Sequence, residues 1–171
     1  FAKNINYMKI CVVWVGKTND NSFSQCIDNY LNRIKHYLTL EIMEIQDIKN
    51  AKSIEVNELR IREGNLILKS LKNDDYVILL DDKGKQYTSV EFSKKIESLN
   101  LSSKKRVVFV IGGAFGFSLD VYKRADDFLS LSKMTFSHQM IRILLVEQIY
   151  RSMTIIKGEP YHHEDSLFYK K

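Results

Sequence analysis

The chain has 171 residues, 44% hydrophobic and 27% charged, with a net charge of +5. These values are typical of one globular domain, and one proline with seven glycines leaves no room for a long linker. No segment has the roughly eighteen consecutive apolar residues of a membrane helix. Cys11 and Cys26 have no spaced cysteine or histidine partner, so we expect two buried, inert thiols, no metal site and a cytoplasmic protein. The positive charge mildly favours polyanionic partners such as nucleic acid.

The first predicted elements are a strand, an amphipathic helix and a second strand. Residues 9–15 form a continuous apolar run of strand length. The pattern Ser22-x-x-Gln25 indicates a capping box, and apolar residues at spacings of three and four predict a helix through residue 38. Residues 40–45 alternate in polarity as a strand does.

The next elements repeat this alternation of helix and strand. We predict a helix over residues 53–71 and a strand over 76–80 that ends in a turn at 81–85. Thr88-x-x-Glu91 is a second capping box and begins another helix. Strands that alternate with helices predict an α/β domain, with a mostly parallel sheet and helices on both faces.

Two short strands that end in loops of small residues mark the most informative part of the chain. Residues 106–111 run directly into Gly112-Gly113, and Gly116 follows. A second strand, residues 128–132, ends in the loop 133–137. Ligands bind at the carboxyl ends of strands in open α/β sheets, so we expect a crevice between these two loops. The glycines match neither a phosphate-binding loop nor a dinucleotide fingerprint, and a tight turn alone would also explain them.

A long helix is predicted over residues 138–157 and is stopped by Gly158. Its apolar residues cover more of its circumference than one core contact requires. Val146, Ile149 and Met153 are the residues that extend this surface. We therefore predict that a second copy of the chain packs against this helix.

Several polar side chains on or near this helix are candidates for chemistry. Arg142 is unusual, because a charge within so apolar a helix is costly unless it is paired or faces a site. His138 stands at the helix start, where a lone histidine is more often a capping or surface residue. Glu147 and Arg151 have the spacing of an ordinary ion pair. From these residues alone, the prediction is a dimeric, cytoplasmic α/β domain with a ligand crevice near Gly112 and Lys133.

Three segments together resemble the bacterial ribosomal RNA large-subunit methyltransferase H family of the SPOUT class: FVIGGAFGF, LSLSKMTFSHQMIRILLVEQIYR and KGEPYHH. The resemblance runs from Met8 to His162. It implies one SPOUT domain over residues 8–163, an extension at 1–7 and a tail at 164–171. It also implies a trefoil knot in the C-terminal third, which general topology rules would reject.

The resemblance further implies an enzyme that transfers a methyl group from S-adenosylmethionine to N3 of a pseudouridine. The implied substrate is large-subunit ribosomal RNA in the assembled ribosome, and the implied enzyme is a homodimer. The residues that the family pattern assigns to the cofactor are Leu80, Gly112, Leu131, Ser132, Lys133, Met134, Thr135 and Phe136. The candidates for catalysis are His138, Arg142, Tyr161 and His162.

The chain departs from the family pattern in two places, and two other functions stay open. Ser137 stands where the family commonly has proline, but serine is a good N-cap and the helix start should survive. The tail after His163 extends beyond many members. The alternatives are a SPOUT enzyme with another RNA target, such as transfer RNA, and a ribosome-binding module without catalysis. The general base, if there is one, also stays open between a histidine and solvent.

Overall fold

Five parallel strands form a single sheet in the order β2-β1-β4-β3-β5 in the computed structural model, which describes residues 8–163. The predicted extension 1–7 and tail 164–171 lie outside the described residues. Two inner strands of the sheet, residues 9–15 and 106–111, are rich in β-branched residues and almost entirely buried, as expected for a parallel sheet covered on both faces. The strands are Lys9–Val15 (β1), Leu40–Ile45 (β2), Tyr76–Lys85 (β3), Arg106–Ile111 (β4) and Asp127–Leu129 (β5).

Helices cover both faces of this sheet, which confirms the predicted α/β architecture. One face carries three helices, and the other carries two helices that pack on a separate apolar cluster. The first group is Asn21–Ile34 (α1), Ser89–Leu101 (α3) and Met140–Ile156 (α5). The second group is Val56–Ser70 (α2) and Leu119–Arg124 (α4). None of these helices is long and apolar enough to cross a membrane.

The wide apolar surface of α5 does not face a second copy of the chain, so the reason for which a dimer was predicted is wrong. Val146, Ile149 and Met153 are fully buried within one chain. α5 lies between α1 and α3 and also packs on the sheet, so its wide apolar surface contacts three parts of the same chain. The excess of apolar residues on α5 therefore does not require a second copy.

Several local predictions need correction. Asp20, and not Ser22, caps α1, because its carboxylate accepts hydrogen bonds from the N–H groups of Ser22 and Phe23. Cys11 is buried as expected, but Cys26 is exposed. The predicted turn at residues 81–85 belongs to β3, whose last residue pairs with β5.

Other local predictions are confirmed. Thr88 and Glu91 form the predicted capping box, with both reciprocal hydrogen bonds present. Ser137 supports the start of α5, since its Oγ accepts a hydrogen bond from the N–H of Met140 at 3.2 Å. Gly158 has a φ of 68°, the left-handed conformation expected just after a helix end.

The chain segments around the end of β3 and β5 cross unusually closely. Leu129 pairs with both Leu80 and Lys85, so residues 81–84 make a detour around it. A Cβ atom on Gly84 would lie 2.6 Å from the carbonyl carbon of Leu129, a distance that only glycine permits. From Ser130 the chain continues to α5, which returns to the helix layer of α1 and α3.

Candidate functional site

The carboxyl ends of β3, β4 and β5 enclose a crevice of about 640 Å³. Its walls are residues 80–83 of β3, the loops that follow β4 and β5, and the start of α5. The volume lies within the range of about 300–1,000 Å³ that is usual for small-molecule sites. The predicted crevice between the glycine-rich loop after β4 and the loop of small residues after β5 is therefore present, and residues of β3 form its third wall.

Most of the residues predicted to bind the cofactor line this crevice. They are Leu80, Gly112, Leu131, Ser132, Met134, Thr135 and Phe136. Lys133 belongs to the same loop but is exposed and does not line the crevice. Hydrogen bonds within the loop hold its backbone in place, because Ser130 Oγ donates to the carbonyl of Ser132 and Ser132 Oγ accepts from the N–H of Met134.

Gly112 allows a close approach of side chains in the crevice wall. A Cβ atom there would lie 3.0 Å from Cε1 of the Phe117 ring. Phe117 is itself buried and lines the crevice. A larger residue at this position would have to displace that ring or project into the cavity.

His138 is the candidate catalytic residue that faces the crevice. It lines the wall beside Ser137 and Ile141, and within the described residues its ring makes no hydrogen bond. Burial lowers the pKa of His138, the positive charge of Arg142 lowers it further, and Asp47 opposes this in part. This lowered pKa favours the uncharged imidazole, which has a nitrogen that can accept a proton.

Arg142 is fully buried but does not line the crevice. Its guanidinium donates to the carbonyl of Val15 at 2.6 Å and to Thr18 Oγ1 at 2.9 Å, and it lies over the Trp14 ring at 4.9 Å. Burial lowers the pKa of Arg142, and its Nε has no hydrogen-bond partner within residues 8–163. In one chain, Arg142 thus anchors the loop after β1 and does not meet a ligand in the crevice.

Tyr161 and His162 lie at the opposite end of α5. Tyr161 Oη donates to Glu147 Oε1 at 3.1 Å, and His162 Nδ1 lies 3.4 Å from Nη1 of Arg151. The predicted Glu147–Arg151 ion pair is present, with a distance of 2.6 Å. We call Glu147, Arg151, Tyr161 and His162 the tail cluster. The structure therefore places the four candidate catalytic residues in three separate places.

Some residues of the crevice were missed from the sequence. Asp81 and Tyr122 both line it, and Tyr122 Oη donates to Asp81 Oδ2 at 2.6 Å. Burial and this hydrogen bond raise the pKa of Tyr122 to about 12. The two residues are forty-one positions apart, so no local pattern in the sequence signals the pair.

Glu63 is a second feature that the sequence did not reveal. A Cβ atom on Gly113 would lie 2.6 Å from Glu63 Oε2, so this carboxylate packs directly on the glycine loop. Glu63 has no hydrogen-bond or ion-pair partner within the described part of the chain. Its half-burial raises its pKa, and the negative charge of Asp47 does so as well.

In the described residues, no group of three or more histidine, cysteine, aspartate or glutamate side chains is placed to hold a metal ion. The site therefore consists of a crevice with His138 in its wall, and a separate tail cluster on α5.

Comparisons with known proteins agree on one family. The family model described as "Predicted SPOUT methyltransferase" matches residues 8–162. "Ribosomal RNA large subunit methyltransferase H" of Parabacteroides distasonis is 52% identical over 157 residues, which cover 92% of this chain and all of that protein. Its namesakes in Christiangramia forsetii and Bacteroides fragilis are 48% and 46% identical, over 91% and 92% of this chain and 99% and 100% of their own lengths. The chain belongs to the ribosomal RNA large subunit methyltransferase H family of SPOUT methyltransferases.

Proposed function

We propose that this chain transfers a methyl group from S-adenosylmethionine to N3 of a pseudouridine in 23S ribosomal RNA of the assembled ribosome. The observation that carries the proposal is the coincidence of two independent results. Relatives named as large-subunit ribosomal RNA methyltransferases match almost the whole chain. The residues that the family pattern assigns to the cofactor converge on one crevice.

The crevice fits S-adenosylmethionine in size and in chemistry. Apolar side chains such as Leu129, Leu131 and Ile141 offer contacts for an adenine ring. The acidic side chains of Asp81 and Asp82 at its wall complement a cofactor with a net positive charge. We place the adenine against residues 131–136 and the methionine chain near Gly112. The cofactor, when bound, supplies an electrophilic methyl group on a sulfonium.

The residues of this chain have two tasks in such a reaction. Displacement at a methyl group requires alignment of the attacking atom with the methyl and the leaving sulfur, and the crevice walls provide that alignment. N3 of a pseudouridine carries a proton at neutral pH, which must leave before or during the attack. The neutral imidazole of His138 is suited to accept it, which typically contributes a factor of about 10²–10⁴. Loss of the proton to solvent is the alternative.

We further propose that the enzyme is a homodimer whose site combines the crevice of one chain with the tail cluster of the other. The support is the separation of His138 from Tyr161 and His162 along α5 in one chain. A stripe of half-buried residues on α5, Leu144, Glu147, Arg151 and Ile155, is left for contact with a second copy. Apolar residues flank the ion pair in this stripe, which suits a symmetric contact.

We also propose that the chain is a single domain over residues 8–163 with a trefoil knot. The detour of residues 81–84 around Leu129, followed by the return of the chain to α5, supports a threaded topology. Such threading is rare among proteins. A ribosomal substrate implies that the enzyme works in the cytoplasm.

The direct test is methylation of ribosomes that lack the modification, with deuterated methyl donor and mass spectrometry of the RNA. We expect one labelled methyl group per ribosome, on N3 of a 23S pseudouridine. Label in transfer RNA instead would favour the SPOUT enzyme with another target. Ribosome binding without any transfer of label would favour the non-catalytic module.

A further inference from the structure

Asp81 is a carboxylate on the crevice wall, and two hydrogen bonds hold its orientation. Tyr122 Oη donates to Oδ2 at 2.6 Å, and the N–H of Lys83 donates to Oδ1 at 2.9 Å. A carboxylate has about four lone-pair positions, so each oxygen can accept one more hydrogen bond. Asp81 therefore presents fixed acceptor positions next to the crevice.

Tyr122, which sets this orientation, is itself held by aromatic contacts from the other two walls. Its ring lies 5.7 Å from that of Phe117 at an interplanar angle of 85°, and 6.1 Å from that of Phe128. Phe117 also packs against Gly112. The side chain of Tyr122 thus connects three walls: its hydroxyl bonds to Asp81 in β3, and its ring packs on Phe117 beside the glycine loop and on Phe128 in β5.

Asp81 stays ionised in this setting. Burial raises its pKa, but the hydrogen bonds from Tyr122 and from the Lys83 N–H outweigh burial, and the pKa lies below its usual value. Hydrogen bonds to an ionised acceptor are about twice as strong as those between neutral groups. A donor on a bound ligand would therefore gain from this carboxylate.

We propose that Asp81, positioned by Tyr122, accepts a hydrogen bond from S-adenosylmethionine, either from the ribose hydroxyls or from the α-ammonium group. This inference rests on the proposed function, because it names a contact within the same crevice. Asp81 directly follows Leu80, which also lines the crevice. Asp81 is a binding residue in this account, and Tyr122 is a positioning residue.

Calorimetry on the full chain with three probes tests the contact: S-adenosylmethionine, S-adenosylhomocysteine and 5′-methylthioadenosine, which lacks the amino-acid part. Asp81→Asn keeps the shape but loses the charge, and we expect affinity for S-adenosylmethionine to fall about tenfold or more. Tyr122→Phe keeps the carboxylate but removes the hydrogen bond that orients it, so we expect a smaller loss of affinity. If Asp81→Asn does not fold, the affinity of Tyr122→Phe serves as the test. Asp120→Asn is the matched control, because Asp120 is exposed on α4 and forms an ion pair with Lys123 at 3.7 Å.

The pattern across the probes identifies the donor. A loss for all three probes supports the ribose hydroxyls, and a loss only for the two probes with an amino-acid part supports the ammonium. Unchanged affinities in both Asp81→Asn and Tyr122→Phe would overturn the proposal. So would an equal loss in Asp120→Asn, or a loss confined to S-adenosylmethionine, since either indicates attraction between charges without a hydrogen bond. Failure of the wild-type chain to bind any probe would instead contradict the proposed function, and this contact with it.

Discussion

The two ends of α5 carry the two groups of reactive side chains, and they are built differently. At the start of the helix, His138 faces the crevice and has no hydrogen-bond partner in the described residues, and buried Arg142 anchors a neighbouring loop. At the far end, Arg151 is paired with Glu147, and Tyr161 and His162 contact this pair at the surface. One end thus faces a cavity, whereas the other carries a hydrogen-bonded cluster of polar side chains at the surface.

In the proposed homodimer, one chain holds only half of a complete site, which would account for this difference. Arg142 and Arg151 are nine residues apart on α5, a rise of about 14 Å. His138 lies a further turn before Arg142, and no residue of the tail cluster lines the crevice of its own chain. The predictions below test each end separately and then the two together.

The largest effect is expected from Gly112→Val at the crevice end. The new side chain collides with the Phe117 ring or fills the cavity, so binding of S-adenosylmethionine should fall below detection in calorimetry. Gly158→Ala is a control outside the crevice, and it should bind normally although it strains a left-handed residue. Wild-type affinity in Gly112→Val would show that the cofactor lies elsewhere.

The crevice was predictable from the sequence because its signals are local. A buried strand that ends in glycines, as at Gly112, is visible in a short window of sequence. The pairing of Asp81 with Tyr122 was not, because the two meet only through the sheet order. Burial of Val146 was expected, but its partners depend on where α1 and α3 pack, and no pattern within α5 contains that information.

Arg142 is a second residue whose partners could not be predicted from the sequence. Its isolation in an apolar helix correctly indicated an unusual environment, yet the sequence favoured a role toward substrate. The guanidinium donates hydrogen bonds to the carbonyl of Val15, the last residue of β1, and to Thr18 in the loop after it. Both are more than a hundred residues away in sequence. Its role in catalysis stays a prediction, which the next experiment addresses.

The second largest effect is expected for Arg142→Ala. Removal of the side chain leaves a cavity and an unpaired carbonyl at Val15, which should lower the free energy of unfolding by about 3 kcal/mol. Arg142→Met fills the space and should lose less. Urea titration measures both, and Arg62→Ala, at an exposed ion pair, should change stability by less than about 0.5 kcal/mol. Unchanged stability with lost activity would support contact with substrate instead.

Third, His162→Ala tests the tail cluster. If this histidine takes part in proton transfer, the single-turnover rate of ribosome methylation should fall by about 10²-fold, while affinity for S-adenosylmethionine stays unchanged. His36→Ala is a matched control, because His36 is exposed and lies outside both groups. Wild-type rates across pH in both His162→Ala and His138→Ala would show that alignment and solvent carry the reaction.

The smallest effect concerns the pH dependence of stability at His138. Because burial and Arg142 lower its pKa in the folded chain, the unfolded chain takes up a proton first as pH falls below about 6.5. Wild type should therefore lose stability in that range relative to His138→Gln, by an amount that grows with the difference between the folded and unfolded pKa. Urea titrations at pH 7.5 and 5.5 measure this, and an equal change in both proteins would contradict the lowered pKa.

Mixing two inactive variants tests the central claim most directly. Gly112→Val damages only the crevice end, and His162→Ala damages only the tail cluster. If two chains share each site, a mixed dimer contains one intact site, so co-refolded variants should regain about a quarter of wild-type methylation at random pairing. Each variant mixed with itself is the control. Activity no greater than the mean of the two variants alone would contradict a site shared between chains.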